Sequence, residues 1–320
     1  MTAVPLTEAP VLQNLVDAVS TAHVLQAATE LGLLDCLTRG PQDTAGLANA
    51  CSTDLPMTAL LLDALAGLGV LRDDAHGRYE LAVDGLPLVT MADRGWSHLA
   101  GVVRSGEPPV HAHTTDGAGD LYPDLVPSLS ALFATAAQRA AQLLAGGGPG
   151  VLDVGAGAAP WSIALARHSP GVRVTALDLP AVIASTRRAV DAAELGDRFD
   201  YLPADMFTCP LPQAAYDVVL LANVCHLFDH AQNHSLLRRL RQAVRPGGLL
   251  AIIDVLAPPG REVPLSISLY ALGLRLRTSR GAVHALSAYQ TWTGDAGFGP
   301  VQVEPLSAAP SLCLLACRRQ

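Results

Sequence analysis

The run Asp153-Val154-Gly155-Ala156-Gly157-Ala158-Ala159-Pro160-Trp161 joins the end of an apolar strand to the start of a helix through a glycine turn. Glycine lets backbone approach a ligand closely, and a helix N-terminus presents N–H groups that the helix itself leaves unpaired. Asp178 follows about 25 residues later at the end of the next strand, where a carboxylate can accept both hydroxyls of a ribose. Asp205, in Ala204-Asp205-Met206-Phe207 after a third strand, is placed to reach the exocyclic amine of an adenine, with Met206 and Phe207 covering the ring. The chemistry on offer is nucleoside binding. Each element has a local alternative: the glycines make a tight strand–helix turn, and Asp178 before Leu179-Pro180 caps a helix. What the alternatives do not explain is that all three fall on the carboxyl edge of successive strands, where open α/β sheets bind ligands.

A fourth strand ends just before Asn223-Val224-Cys225-His226-Leu227-Phe228, which brings His226 to the same edge. Histidine is the residue type best suited to moving a proton near neutral pH, so His226 is the candidate general base; a structural hydrogen bond from a loop histidine is the alternative. The spacing of His226, His230 and His234 invites a metal reading, since on one helix they would share a face. His226 belongs in a strand-end loop, however, and Asp229 and Asn233 suggest a turn or cap, so no metal site is expected. Cys313 and Cys317 lie four apart in a strand-like segment and read as a structural pair on one face.

These residues need a frame. From Val151 onward strands alternate with helices: strands over 151–154, 172–177, 199–202, 216–222 and 249–255, and helices over 161–168, 181–193 and 235–244. That alternation predicts a parallel sheet covered on both faces, an α/β, Rossmann-like domain over 146–320. After a helix over 287–296, two strands (301–304 and 312–316) follow with a short loop between them, adding an antiparallel C-terminal hairpin that a plain dinucleotide-binding fold does not need. Pro160 also stands where the dinucleotide fingerprint wants glycine, which counts against a pyridine nucleotide.

Residues 1–95 read differently. Val11–Leu33 carries apolar residues at helical spacing, Asp43-Thr44 caps a helix through Ala50, Leu55-Pro56 opens another through Leu68, and two short strands follow around Gly77. Helices followed by a hairpin, in a region running to about Val89, describe a winged-helix-like domain. The helix over 56–68, which would enter a DNA groove, has no Arg, Lys, Asn or Gln to reach phosphates or base edges, so it reads as a core or interface helix. Residues 96–145, from a connecting region that begins near Met91, contain a Gly-, Pro- and His-rich loop over 106–119 and a helix over 122–144, expected to contribute to a substrate pocket.

Composition narrows the classes further. Half of the 320 residues are apolar and 16% are charged, as in a packed globular chain. A net charge of −8 argues against general affinity for nucleic acid or anionic membranes. All 21 basic residues are arginine, which removes Schiff-base chemistry and a phosphate-binding P-loop lysine. Neither a secretory signal in Met1–Pro10 nor a transmembrane-length apolar run is evident, so the expected location is the cytoplasm.

The glycine turn, Asp178-Leu179-Pro180, Asp205-Met206-Phe207 and Arg245-Pro246-Gly247-Gly248 together resemble class I methyltransferases. With the winged-helix-like start, the whole chain resembles the dimeric small-molecule O-methyltransferases of plant phenolic and bacterial polyketide pathways. The resemblance implies S-adenosylmethionine as cofactor, a hydroxylated aromatic or polyketide-like acceptor, and a homodimer formed through the N-terminal domain. Cofactor binding is then expected from Asp153, Gly155, Gly157, Asp178, Leu179, Asp205, Met206, Phe207 and Asn223. His226 matches the family's catalytic histidine, and Asp254 a position where relatives carry an acid that orients it. Leu227 stands where relatives more often have aspartate, and Ala159 where many have a third glycine. His113, Trp161, Tyr270 and His284 are expected to line the acceptor pocket, with Leu265–Leu276 covering it. A carbon or nitrogen acceptor, a non-methylating reaction on the same fold, and a ligand-sensing DNA regulator are the alternatives.

Overall fold

The computed structural model describes residues 9–74, 76–82, 95–260, 262–307 and 312–320. The chain divides into two compact units, Met1–Asp93 and Arg94–Gln320. The stretch from residue 83 to 94, in which the sequence reading ends its first domain near Val89 and starts its connecting region near Met91, lies outside the described residues, as does most of Met1–Pro10.

In the first unit α1 (Ala9–Glu30) is followed by a short α2 (Leu33–Leu37), the two-residue β1 (Gln42–Asp43), α3 (Thr44–Cys51) and α4 (Leu55–Gly67). The Asp43 carboxylate caps α3 as expected, accepting the Gly46 N–H at 2.6 Å, and Asp54, just ahead of Leu55-Pro56, caps α4 by accepting that of Met57 at 3.0 Å. Pro56 sits in the first turn of α4, where no N–H is needed. The hairpin of β2 (Leu71–Asp73) and β3 (Arg78–Leu81) gains β1 on the other side of β3. Leu33, Leu47, Leu62 and Leu65 form a fully buried core, while Val11, Leu12, Leu15, Val16 and Val19 of α1 are exposed.

The second unit contains the Rossmann-like sheet. After α5 (Leu99–Ser105) comes α6 (Thr115–Leu144), whose 30 residues start seven residues earlier than the sequence suggests and run through Pro123 and Pro127. Thr114 caps it, accepting the Gly117 N–H at 3.2 Å, and Ser185 donates to the Pro123 carbonyl at 3.1 Å. The sheet then builds from β4 (Gly150–Val154), α7 (Pro160–His168), β5 (Arg173–Asp178), α8 (Pro180–Ala192), β6 (Phe199–Pro203), β7 (Tyr216–Ala222), α9 (His230–Ala243) and β8 (Val244–Val255). It closes with α10 (Leu265–Arg275), α11 (Leu286–Asp295), β9 (Gln302–Ser307) and β10 (Leu312–Arg318).

The order is β6-β5-β4-β7-β8-β10-β9, with β4 to β8 parallel and β10 antiparallel to both of its neighbours. Chain direction reverses its crossover between β4 and β7, so the tips of β4, β5 and β7 meet at the switch point where such sheets bind ligands. The central strands are buried on both faces: Leu152, Val154, Leu220, Leu221, Leu250 and Ile253 are each sealed from solvent. Cys313 and Cys317 lie on β10 as separate free thiols.

Candidate active site

β4 ends in the glycine turn. Gly155 (φ +69°) and Gly157 (φ +57°) occupy the left-handed region, and so does Ala159 (φ +55°), which stands where many relatives have a third glycine. A Cβ on Gly155 would stand 2.7 Å from Val224 Cγ2 and 3.6 Å from Met206 Cε, so this backbone also passes too close to its neighbours for a side chain. Ala159 carries its methyl group in that conformation fully buried, at a cost of order 1 kcal/mol relative to glycine.

Asp178, at the tip of β5, ties two strand ends together. One carboxylate oxygen accepts the Gly157 N–H and the other the Leu179 N–H, both at 2.7 Å. Burial pushes its pKa up to about 6 against the opposing pull of those two N–H groups. A carboxylate oxygen has a second lone pair, so both can still accept from a ligand. Asp205 follows β6 and folds back to accept the Phe207 N–H at 2.8 Å. Asn223 follows β7 in the left-handed region (φ +57°), and its Oδ1 is buried with no partner among the described residues.

These tips surround a cavity of about 420 Å³. Gly155, Gly157, Asp178, Leu179, Asp205, Met206, Phe207 and Asn223 all line it, as do Trp161 and His113. Tyr122, Val126, Leu129 and Phe133 of α6 form the opposite wall. None of those four was singled out from sequence. Their only signal was membership of a helix assigned to the connecting region.

Two expected residues stand elsewhere. Asp153 does not line the cavity; it is 2% exposed and its carboxylate accepts the Ser162 hydroxyl at 2.5 Å, bracing β4 against α7. Burial raises its pKa to about 7. Its side chain, expected to meet the cofactor, lies in the sheet–helix layer rather than on the cavity wall. His284, expected at the acceptor pocket, is placed in the core and does not line the cavity. It is 5% exposed, bonded to the Phe228 carbonyl at 3.0 Å, and packed edge-on against Trp292 at 4.9 Å, with burial lowering its pKa.

His226 sits in a short 3₁₀ turn (Cys225–Leu227) between β7 and α9. Its Nδ1 is 2.7 Å from Oδ1 of Asp254 at the tip of β8, and its backbone N–H donates to Asp254 Oδ2 at 3.1 Å. The carboxylate thus grips both ring and backbone of one residue, and both residues are buried (3% and 0% exposed). Tyr270 Oη lies 3.2 Å from the same Nδ1, its ring edge-on to the imidazole at 5.6 Å. Burial, then the Asp254 charge, push the Tyr270 phenol well above its ordinary pKa, so it remains protonated. These three residues do not line the 420 Å³ cavity, but Val224, Leu227 and Phe228 on either side of His226 do. The other two histidines of the four-residue repeat go separate ways: His230 packs on Trp292 and His234 pairs with Asp295 at 3.3 Å.

Residues 96–299 match the O-methyltransferase domain family, and residues 13–83 match the O-methyltransferase dimerisation domain. The chain belongs to the O-methyltransferase family. It is 29% identical over 314 residues to 3-hydroxy-5-methyl-1-naphthoate 3-O-methyltransferase of Streptomyces sahachiroi, covering 91% of this chain and 90% of that one. It is 31% identical over 330 residues to acetylserotonin O-methyltransferase of Mus musculus, covering 91% and 84% respectively. Among solved structures, human N-acetylserotonin methyltransferase in complex with SAM superposes with a TM-score of 0.81 at 24% identity, over 100% of this chain and 99% of that one. The mitomycin 7-O-methyltransferase structure gives a TM-score of 0.73 at 25% identity, over 98% of each chain.

S-adenosylmethionine is the methyl donor of this family, and the residues of this O-methyltransferase fit it. The glycine cradle excludes a Cβ, Asp178 keeps free lone pairs, and the buried Asn223 Oδ1 awaits a donor.

Proposed function

We propose that this enzyme methylates a hydroxyl of an aromatic or polyketide-like small molecule, with His226 as general base and Asp254 as the group that orients it. The observation that carries this reading is the buried His226–Asp254 contact beside a cavity whose wall residues suit a nucleoside. Asp254 holds a proton on Nδ1, which leaves Nε2, unbonded among the described residues, as the nitrogen that takes the acceptor's proton. Gly155, Gly157, Asp178, Leu179, Asp205, Met206, Phe207 and Asn223 hold the cofactor. Asp178 accepts from the ribose, Asp205 from the adenine amine, and Met206 and Phe207 cover the ring. Bound S-adenosylmethionine supplies an electrophilic methyl group on a positively charged sulfur.

The remaining work is done by position and environment. Leu129, Phe133 and Trp161 keep water from the reacting oxygen, which favours a step in which opposite charges disappear. Holding acceptor and methyl in line supplies much of the rate enhancement. His113 and Trp161, with Tyr270 behind, belong to the acceptor side. The Streptomyces sahachiroi relative, named for a hydroxynaphthoate, supports a bicyclic phenolic acceptor.

The chain is best divided into a winged-helix-like dimerisation domain over 1–95, a connecting region over 96–145 and a methyltransferase domain over 146–320. The match to the dimerisation domain and the exposed apolar face of α1 support a homodimer formed through the first of these. No helix among the described residues is long and apolar enough to cross a membrane; the reading places the enzyme in the cytoplasm with no membrane partner. The net charge of −8 gives no support to a nucleic-acid partner. Incubation of the protein with methyl-labelled S-adenosylmethionine and a panel of naphthols and hydroxynaphthoates tests the activity. The reading expects label on oxygen, at a rate lower by at least about a hundredfold with His226→Ala; label on carbon or nitrogen, or equal turnover by the variant, contradicts it.

A further inference from the structure

Arg277 is a cation without a counter-ion among the described residues. Among them its buried Nε also has no hydrogen-bond partner. Its neighbours in sequence are satisfied: Arg280 pairs with Asp229 at 3.0 Å, and Arg275 donates to the carbonyls of Ser279 and Gly106. Leaving a buried guanidinium N–H unpaired costs about 1–3 kcal/mol, so such a group is expected to meet a partner when the site fills.

Its backbone fixes where that partner would be. The Arg277 carbonyl accepts the Ala112 N–H at 2.8 Å, and the adjacent Thr278 hydroxyl bonds His113 Nδ1 at 3.1 Å and the Leu227 carbonyl at 3.2 Å. Ala112, His113 and Leu227 are all cavity wall. The guanidinium itself lies near Tyr122, also cavity wall, and hydrogen-bonds the Tyr270 oxygen, leaving Nε as its unpaired N–H: burial drives both phenols upward and Arg277 opposes it in each. Tyr270 in turn touches His226 Nδ1. Nδ1–H is engaged by Asp254, so Tyr270 Oη can only accept from the ring, and its own O–H is left to donate elsewhere. A cation and a phenolic donor therefore stand together within one side chain of the proposed base.

Resting on the proposed methyl transfer, we infer that Arg277 and Tyr270 hold an anionic oxygen group of the acceptor, a carboxylate on the ring system that bears the methylated hydroxyl. The acceptor class is then an aromatic hydroxy acid rather than a neutral phenol. The carboxylate fills the hydrogen-bonding capacity of Arg277 and places the hydroxyl toward His226. Guanidinium recognises carboxylate through paired, charge-assisted hydrogen bonds, which gives orientation as well as affinity.

The test measures binding of 3-hydroxy-2-naphthoate and of 2-naphthol to the protein saturated with S-adenosylhomocysteine, for wild type, Arg277→Gln and Arg277→Lys. Wild type should prefer the acid by about tenfold or more, the scale of a charge-assisted bond. Arg277→Gln should abolish that preference, and Arg277→Lys should restore part of it. Affinity for S-adenosylhomocysteine should be the same in all three, which reports that the fold is intact. Equal binding of the two probes by wild type, binding of neither, or a preference that survives Arg277→Gln overturns the inference. Failure of S-adenosylhomocysteine itself to bind would instead strike the proposed cofactor site, so the two failures are told apart.

Discussion

Replacing Asp178 by asparagine separates what this residue does for the fold from what it does for the cofactor. Burial lifts the carboxyl to about 6 from an ordinary 3.8. At about 1.4 kcal/mol per pKa unit, keeping it ionised above that pH costs the empty protein about 3 kcal/mol. Asparagine removes this cost, but its amide can accept only one of the two N–H groups, from Gly157 and Leu179, that the carboxylate now accepts. The stranded donor costs about 1–3 kcal/mol. The two effects oppose each other, so the thermal midpoint of the cofactor-free variant should stay within about 5 °C of wild type. Binding has no such compensation. Hydroxyl donors to a carboxylate contribute about 1.5–3 kcal/mol each, and the loss of one to two of them predicts S-adenosylhomocysteine affinity lower by about a hundredfold. The sign of the pH effect follows. Because the folded pKa is raised, this group stabilises the empty fold most at low pH, and that contribution is lost as pH rises from about 4 through 6. Ribose donors favour the ionised form, so wild-type affinity should fall below about pH 6 with proton release on binding, and the variant should show neither. Calorimetry in buffers of different ionisation enthalpy reads all of this. An Asn variant that binds S-adenosylhomocysteine as well as wild type refutes the ribose role and returns Asp178 to capping the turn.

The other predictions are independent of that one. His226→Ala should lower methyl transfer by at least about a hundredfold, the scale of general-base catalysis, with S-adenosylhomocysteine affinity unchanged in calorimetry; unchanged turnover removes His226 from the base role. Gly155→Ala forces a methyl group to 2.7 Å from Val224 at φ +69° and should cost cofactor affinity at least about tenfold, measured by the same titration; full affinity would mean that the turn can open. Asp153→Asn keeps an acceptor for Ser162 but removes an acid that titrates at about 7. Wild-type stability should therefore drop by roughly 2–3 kcal/mol more than the variant's as pH rises from about 5 to 8, and parallel denaturation curves at both pH values would contradict the burial argument.

What was legible in the sequence was local chemistry, and what was not was direction. Asp43, the Gly155–Gly157 turn and Asp178 before Pro180 could be read because their partners lie within a few residues or at the tip of the next strand. The alternation of strands and helices was equally legible, since both faces of a parallel sheet must be covered. The helix of 115–144 was begun seven residues late because the Gly-, Pro- and His-rich composition of 106–119 reads as a loop, and that helix runs through Pro123 and Pro127. Packing against α8, including the Ser185 bond to the Pro123 carbonyl, carries the helix through them. The start of α9 at His230 was placed five residues late, although Asp229 and Gln232 form a reciprocal cap there. Asp153 and His284 were assigned to the cavity with the family resemblance, from which side-chain direction cannot be read. Each points instead into a layer between elements, an orientation set by packing at a distance. The pairing of His226 with Asp254, 28 residues on, came from family resemblance, because nothing local to either residue encodes it. Arg277 gave no signal, since one arginine looks like any other until its neighbours are known.

The most direct measurement is a crystal structure of the protein with S-adenosylhomocysteine bound. The account predicts its ribose against Asp178, its adenine between Asp205 and Phe207, and its sulfur facing the His226 side of the cavity. A nucleoside bound away from the tips of β4, β5 and β7, or a cavity that stays empty at saturating ligand, would contradict it.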